Sequence, residues 1–393
     1  MLRGLPRTVI ALGLVSLCMD TSSELIHSLL PVYLVVGLGA SAAVLGVVEG
    51  IADATASLMR VFAGVLSDRA GRRKPLILAG YGLAALSKPL FPLAAGVGAV
   101  LLARIADRIG KGIRSAPRDA LLADVTPEPL RGAAFGLRQS LDTVGAVIGP
   151  LAAVLLMSAL DGDVRTVLWV AVLPAAVAVL LIVLLVQEPE GTRPPPRRTA
   201  GLQRNEIALL PRAFWRVAGL GVVLSLARFS QAFLLLRASG LGLSDAQVPL
   251  VLVVLNVAYS LSAWPLGRLS DRVGRHRLLV AGLLALVLAD VLIALDAGLW
   301  AFAAGVVLWG LHMGATQGVV AAMVADVAPV QLRGTAFGVL NCSSALALLA
   351  ASVIAGALWS AVGATTTFVA GAVFALAAVG MALSAMRATS APQ

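Results

Sequence analysis

Long apolar runs separated by short polar turns make up almost the whole chain. The runs lie at about residues 9–36, 43–66, 76–96, 98–123, 132–158, 166–187, 214–238, 247–267, 277–296, 299–325, 334–359 and 362–385. A helix rises about 1.5 Å per residue, so segments of roughly 20 residues span a hydrocarbon layer of about 30 Å. The pattern predicts an all-α integral membrane protein with twelve transmembrane helices in two pseudo-symmetric six-helix bundles. Residues 1–187 are expected to form the N-terminal bundle and 213–393 the C-terminal one. Between them, 188–212 carries Pro194-Pro-Pro-Arg-Arg198, Arg204 and Arg212. Proline removes backbone donors and the charges oppose membrane burial, so this stretch reads as a cytoplasmic linker.

The polar turns repeat. Gly64-Val-Leu-Ser-Asp-Arg-Ala-Gly-Arg-Arg-Lys74 returns 203 residues later as Gly267-Arg-Leu-Ser-Asp-Arg-Val-Gly-Arg-His-Arg277. Ala120 to Leu137 aligns without gaps on Ala322 to Val339, with 11 of 18 positions identical. Two similar apolar halves suggest a transporter built by internal duplication, with its site between the halves.

The repeated turn resembles the loop signature of the major facilitator superfamily, which lies between helices two and three, with a weaker copy between eight and nine. That resemblance implies a conformational gate of Gly64, Asp68, Arg69, Gly71 and Arg72, with Asp271 and Arg272 in the second copy. It places Asp68 near the start of helix eleven, around Gly334, where an anion suits the helix dipole. By pseudo-symmetry Asp271 falls near Gly132. Helix five carries Gly136, Gly145, Gly149 and Pro150 in an array similar to the antiporter motif of exporters in this superfamily, although Ala152 and Ala153 replace its closing glycines. Gly145 and Gly149 make a small-xxx-small face for close helix approach, and Pro150 frees a carbonyl. Arg108-Ile-Gly-Lys-Gly112 resembles the R-x-x-x-G pattern linked to proton transfer, with lysine in place of the usual amide at 111.

Composition agrees with a membrane location. Of 393 residues, 59% are hydrophobic and 13% charged, well below the charged fraction of a soluble domain of this length. The net charge of +10 is concentrated in alternate short loops. This fits positive-inside topology, with both termini cytoplasmic in a bacterial inner membrane, better than a nucleic-acid partner. Cys18 and Cys342 both lie in apolar runs, so no disulfide framework is expected. Gly110-Lys-Gly112 lacks the rest of a phosphate-binding loop, and hydrolase and zinc motifs are absent. Neither an enzyme nor a metal or cofactor is expected.

The remaining clues are ionisable residues inside apolar runs, which are costly unless they meet water or a partner. Asp20, Glu24 and His27 share one face of helix one. Helix two carries Glu49 and Asp53, and helix four carries Arg104 and Arg108 among several further charges. Asp142 lies on helix five, Arg228 on seven, and His312 and Gln317 on ten. The resemblance puts helices one, four, seven and ten around a central cavity, so Asp20 and Glu24 are expected to face Arg104 and Arg108. The resulting expectation is proton-coupled efflux, by antiport, of a small organic molecule or drug. Symport import of a metabolite is the alternative. Expected partners are the substrate, protons and the lipid bilayer, with the chain acting as a monomer.

Overall fold

The computed structural model describes residues 5–70, 72–188, 207–329 and 332–390. Most of the expected linker, 189–206, lies outside the described residues. The helices are α1 (Arg7–Val32), α2 (Ala42–Ala70), α3 (Lys74–Ser87, then Leu90–Leu93), α4 (Val97–Val125), α5 (Arg131–Ala159) and α6 (Val164–Val170, then Val172–Leu185). They continue as α7 (Arg212–Ala227, then Ala232–Gly240), α8 (Leu250–Val273), α9 (Arg275–Ala294), α10 (Leu299–Val327), α11 (Arg333–Ala361) and α12 (Ala364–Ser390). Among the described residues, eleven helices are long and apolar enough to cross a membrane. The exception is α4, whose 29 residues include Arg104, Asp107, Arg108, Lys111, Arg114, Arg118 and Asp119.

Three of the expected continuous helices are interrupted. In α3 the break falls at Lys88-Pro89, because proline cannot donate to the preceding turn. In α6, Ser22 of α1 donates to the Ala171 carbonyl at 2.6 Å, just before Pro174. The gap in α7, at Arg228–Gln231, has no such residue to announce it. Its polar groups are satisfied instead by side chains, which is how a membrane segment tolerates broken backbone. The Ser230 amide donates to Ser352 Oγ at 3.2 Å, and the Ala232 amide donates to Ser230 Oγ at 3.2 Å.

The chain forms two compact units. The first comprises residues 1–39, 51–200 and 244–253; the second comprises 40–50, 201–243 and 254–393. In the first, α1 lies along α5, and Val9, Leu12, Val15 and Met19 pack with Ile77, Tyr81 and Ile182 in a dry core. Close approach is set by glycine. A Cβ on Gly145 would sit 2.7 Å from the Leu17 carbonyl, and one on Gly149 would sit 2.7 Å from the Thr21 carbonyl. In the second unit, Phe214, Leu220, Leu279, Leu283 and Val324 anchor the core. The start of α2 also belongs to this unit, where Ala43 donates its amide to Ser360 Oγ of α11 at 2.9 Å.

Candidate functional site

The first unit holds a chain of charged side chains inside its helices. Along α4, Asp107, Lys111, Arg114 and Arg118 follow one another at spacings of four, three and four, so they form a single stripe. Arg114 Nη2 meets Asp20 Oδ1 of α1 at 3.4 Å, and its guanidinium lies 4.3 Å over the Tyr81 ring. Arg118 donates to Ser16 Oγ at 2.9 Å and pairs with Asp119 at 3.1 Å. Asp142 of α5 pairs with Arg138 at 3.0 Å and lies 3.9 Å from Arg118. Glu24 Oε2 and His27 Nδ1 are 3.4 Å apart one turn along α1.

Beside this chain sits a sealed pair. Lys88 Nζ donates to Asp107 Oδ1 at 2.7 Å and to Ser23 Oγ at 2.9 Å. The Lys88 and Asp107 side chains are 1% and 4% exposed, whereas Asp20 and Glu24 are each 20% exposed. A carboxylate open to water can exchange a proton or meet a ligand; the sealed pair is suited to holding α3 on α4. Arg104 and Arg108 are also buried, and Arg108 Nε lies 3.9 Å from Asp107 Oδ2.

Asp20 therefore meets Arg114, not Arg104 or Arg108 as expected. Helix register explains the difference. Asp20 lies about 20 Å along α1 from Arg7, and Arg114 about 17 Å back from Val125, whereas Arg104 is about 32 Å back. Glu24 and Arg108 both fall at about 26 Å. Asp53 is half-buried and lies outside this chain of contacts.

In the second unit, Glu49 is fully buried and accepts from Ser230 Oγ at 3.2 Å, at the gap in α7. Arg228 is half-buried beside that gap. His312 is fully buried, with Nδ1 2.8 Å from the Gly282 carbonyl of α9. Gln317 lies on the opposite side of α10 and accepts from Tyr259 Oη at 2.7 Å. Asp290, also fully buried, accepts from the Trp309 indole at 2.9 Å.

At the repeated loops, Arg73 is the anchored residue. It donates to Asp124 Oδ2 at 2.6 Å and to Ser67 Oγ at 3.0 Å. Glu188 accepts from the Arg73 and Lys74 amides at 2.6 and 3.1 Å, a carboxylate on the open N-terminus of α3. The second copy reproduces the pair, with Arg275 bonded to Asp326. Gly64 is half-buried, and Arg72 and Arg272 are exposed. Gly71 and the side chains of Asp68, Arg69 and Asp271 lie outside the described residues. Of the helix-five residues, Gly145, Gly149 and Pro150 are buried, but a Cβ on Gly136 would meet open space.

Sequence reasoning did not single out Arg114, Arg118, Lys88, Asp107, Arg73 or Asp124 as site residues. The stripe spacing on α4 was a usable signal for the first two. Asp124 recurs as Asp326, 202 residues later, but the loop repeat aligns Arg275 on Arg72 and Arg73 on His276, so it gave no signal for Arg73.

The sequence profile of the Major Facilitator Superfamily matches residues 12–238 and 217–393. An uncharacterised MFS-type transporter of Methanocaldococcus jannaschii is 30% identical over 381 residues, covering 95% of this chain and 94% of that protein. The quinolone resistance protein NorA of Staphylococcus aureus is 24% identical over 202 residues, covering 51% of this chain and 50% of that protein. Among solved structures, a bacterial homologue of the human lysosomal transporter Spinster superposes with a TM-score of 0.76 at 17% identity, covering 97% of this chain and 96% of that one.

Proposed function

From the premise that the chain belongs to the major facilitator superfamily, we propose that it is a proton-coupled exporter of a small organic molecule, working by alternating access. The family and fold are those of multi-pass membrane transporters, which bind small-molecule substrates within a lipid bilayer. The single observation that carries the finer reading is the state of the α1 carboxylates. Asp20 and Glu24 sit deep in a membrane helix, Asp20 against Arg114 and Glu24 against His27, yet keep 20% of their side-chain surface exposed. Each can alternate between an ionised form paired with a cation and a neutral form carrying a proton. Substrate and proton then compete for one charged site, which yields exchange without a long relay.

Efflux is favoured by the helix-five glycines, which press on α1 at these carboxylates: a Cβ on Gly149 would come 2.9 Å from Glu24 Cβ. The quinolone resistance protein that matches half of the chain points the same way. In this reading the repeated loops form a gate, with Asp68 and Asp271 as its acidic members and Arg73–Asp124 and Arg275–Asp326 as its struts. The protein acts as a monomer in the inner membrane with both termini cytoplasmic, and its halves are joined by the cytoplasmic 188–212 segment. Inside-out vesicles test the direction. A ligand found by thermal-shift screening should accumulate in the lumen when the lumen is acid, and accumulation only in right-side-out vesicles would make the protein an importer.

A further inference from the structure

The end of the second unit that carries the start of α7, the start of α9 and the last turns of α10 and α12 contains a cavity of about 350 Å³. Its polar wall is Arg216, His276 and Ser384; its apolar wall includes Leu220, Met323 and Met381. Among the described residues, no carboxylate pairs with Arg216 or His276. Asp326, an acid at this end whose side chain is described, is taken up by Arg275. Among the described residues, the cavity therefore presents positive charge without a paired carboxylate, above a greasy floor.

The surroundings fix its depth. Trp215, next to Arg216, is exposed, and so is Trp264, over whose ring the Arg268 guanidinium lies at 4.2 Å. Exposed tryptophans beside arginines are characteristic of the headgroup layer of a membrane. Arg212 and Arg277 add exposed positive charge at the same end. At roughly 30 Å³ for each water in the liquid, the cavity has the volume of about a dozen waters. That matches a glycerophosphate group with the first carbons of one acyl chain, while the remaining chain would lie along the bilayer.

We propose that this cavity binds the phosphate headgroup of an anionic phospholipid, with Arg216 and His276 on the phosphate and Leu220, Met323 and Met381 under the first acyl carbons. The site is separate from the charged chain around Asp20, and the proposal does not depend on the direction or coupling of transport. Anionic lipid at a basic, membrane-facing end contributes electrostatic attraction at each cation as well as apolar burial.

The test is the thermal stability of the purified full-length protein in detergent, titrated with phosphatidylglycerol, phosphatidylcholine or inorganic phosphate. Phosphatidylglycerol is expected to raise the unfolding midpoint, and the other two to leave it unchanged. In the double variant Arg216→Gln/His276→Gln the half-effect concentration should rise at least tenfold. Arg165→Gln, an exposed site in the first turn of α6, should leave it unchanged. Ser384→Trp fills the mouth of the cavity from an exposed position and should weaken the effect without removing either cation, so the proposal stays testable if the double variant does not fold. Equal stabilisation by phosphatidylcholine would overturn the proposal, as would full stabilisation by phosphate alone. Undiminished response to phosphatidylglycerol in folded Ser384→Trp or double-variant protein would overturn it too.

Discussion

Gly149→Ala places one methyl group where the structure has no room for it. The new Cβ would lie 2.7 Å from the Thr21 carbonyl, 2.8 Å from the Leu25 amide and 2.9 Å from Glu24 Cβ. All three are on α1, and two are backbone atoms, which cannot swing aside as a flexible side chain can. Restoring ordinary contact near 3.4 Å requires α1 and α5 to separate locally by about 0.7 Å. Overpacking of this kind costs about 1–3 kcal/mol, offset by a gain of about 1 kcal/mol from replacing glycine in a helix. The expected net effect is a loss of up to about 2 kcal/mol. The Asp20–Arg114 contact, already 3.4 Å, crosses from α1 to α4 and should change with the shift. A displacement worth about 1 kcal/mol changes a two-state balance roughly fivefold, so pH-gradient-driven transport should fall several-fold. Gly136→Ala is the control from the same motif. Its Cβ would meet nothing within 4 Å, so stability should hold or rise, with transport intact. The assay is the unfolding midpoint together with transport in proteoliposomes for both variants. If Gly149→Ala behaves like Gly136→Ala, close α1–α5 packing does not position the carboxylates.

Four further outcomes are expected. Lys88→Met strands a buried Asp107 and should cost about 3–5 kcal/mol, seen as loss of folded protein in detergent. Lys88→Met/Asp107→Leu should recover most of it, and a double variant as unstable as the single one would contradict the pairing. Asp68→Asn should slow transport several-fold while the unfolding midpoint stays put; unchanged turnover in folded protein would remove Asp68 from the gate. Asp163 accepts from the Thr166 hydroxyl and from the Arg165 and Thr166 amides at the start of α6, and the Thr166 bond foremost holds its carboxyl below the usual range. Its contribution is therefore present above the ordinary aspartate pKa and lost as pH falls through the lowered one, so a midpoint difference between wild type and Asp163→Asn should vanish in acid; a pH-independent difference would count against it.

The helices were legible because crossing a bilayer demands length and apolarity, and the sequence supplies both at every segment but the charged α4, which was legible from its length and its place in the repeat. The repeat was legible because its loops are polar islands with fixed spacing. The gap in α7 was not, since Arg228–Gln231 contains neither proline nor glycine, and the groups that stabilise it, Ser352 and Glu49, are distant in sequence. Pairing across helices was half legible. Face periodicity put Asp20 and Glu24 on one side of α1, but choosing among the cations of α4 required the relative heights of two helices, which the start of an apolar run does not define closely enough. Glu49 shows the same limit: its partner Ser230 lies 181 residues away, and no local pattern connects them.

The most direct test of the central claim uses inside-out proteoliposomes with an acid lumen, loaded with wild type, Asp20→Asn, Glu24→Gln or the double variant. Transport and binding of one ligand identified by thermal shift are measured in parallel. The account predicts that wild type concentrates the ligand while the pH gradient decays. The double variant should still bind or exchange ligand downhill but should fail to concentrate it, with Glu24→Gln the more severe of the single changes. A double variant that concentrates ligand at the wild-type rate would contradict the account and move the proton to Glu49, Asp53 or Asp142.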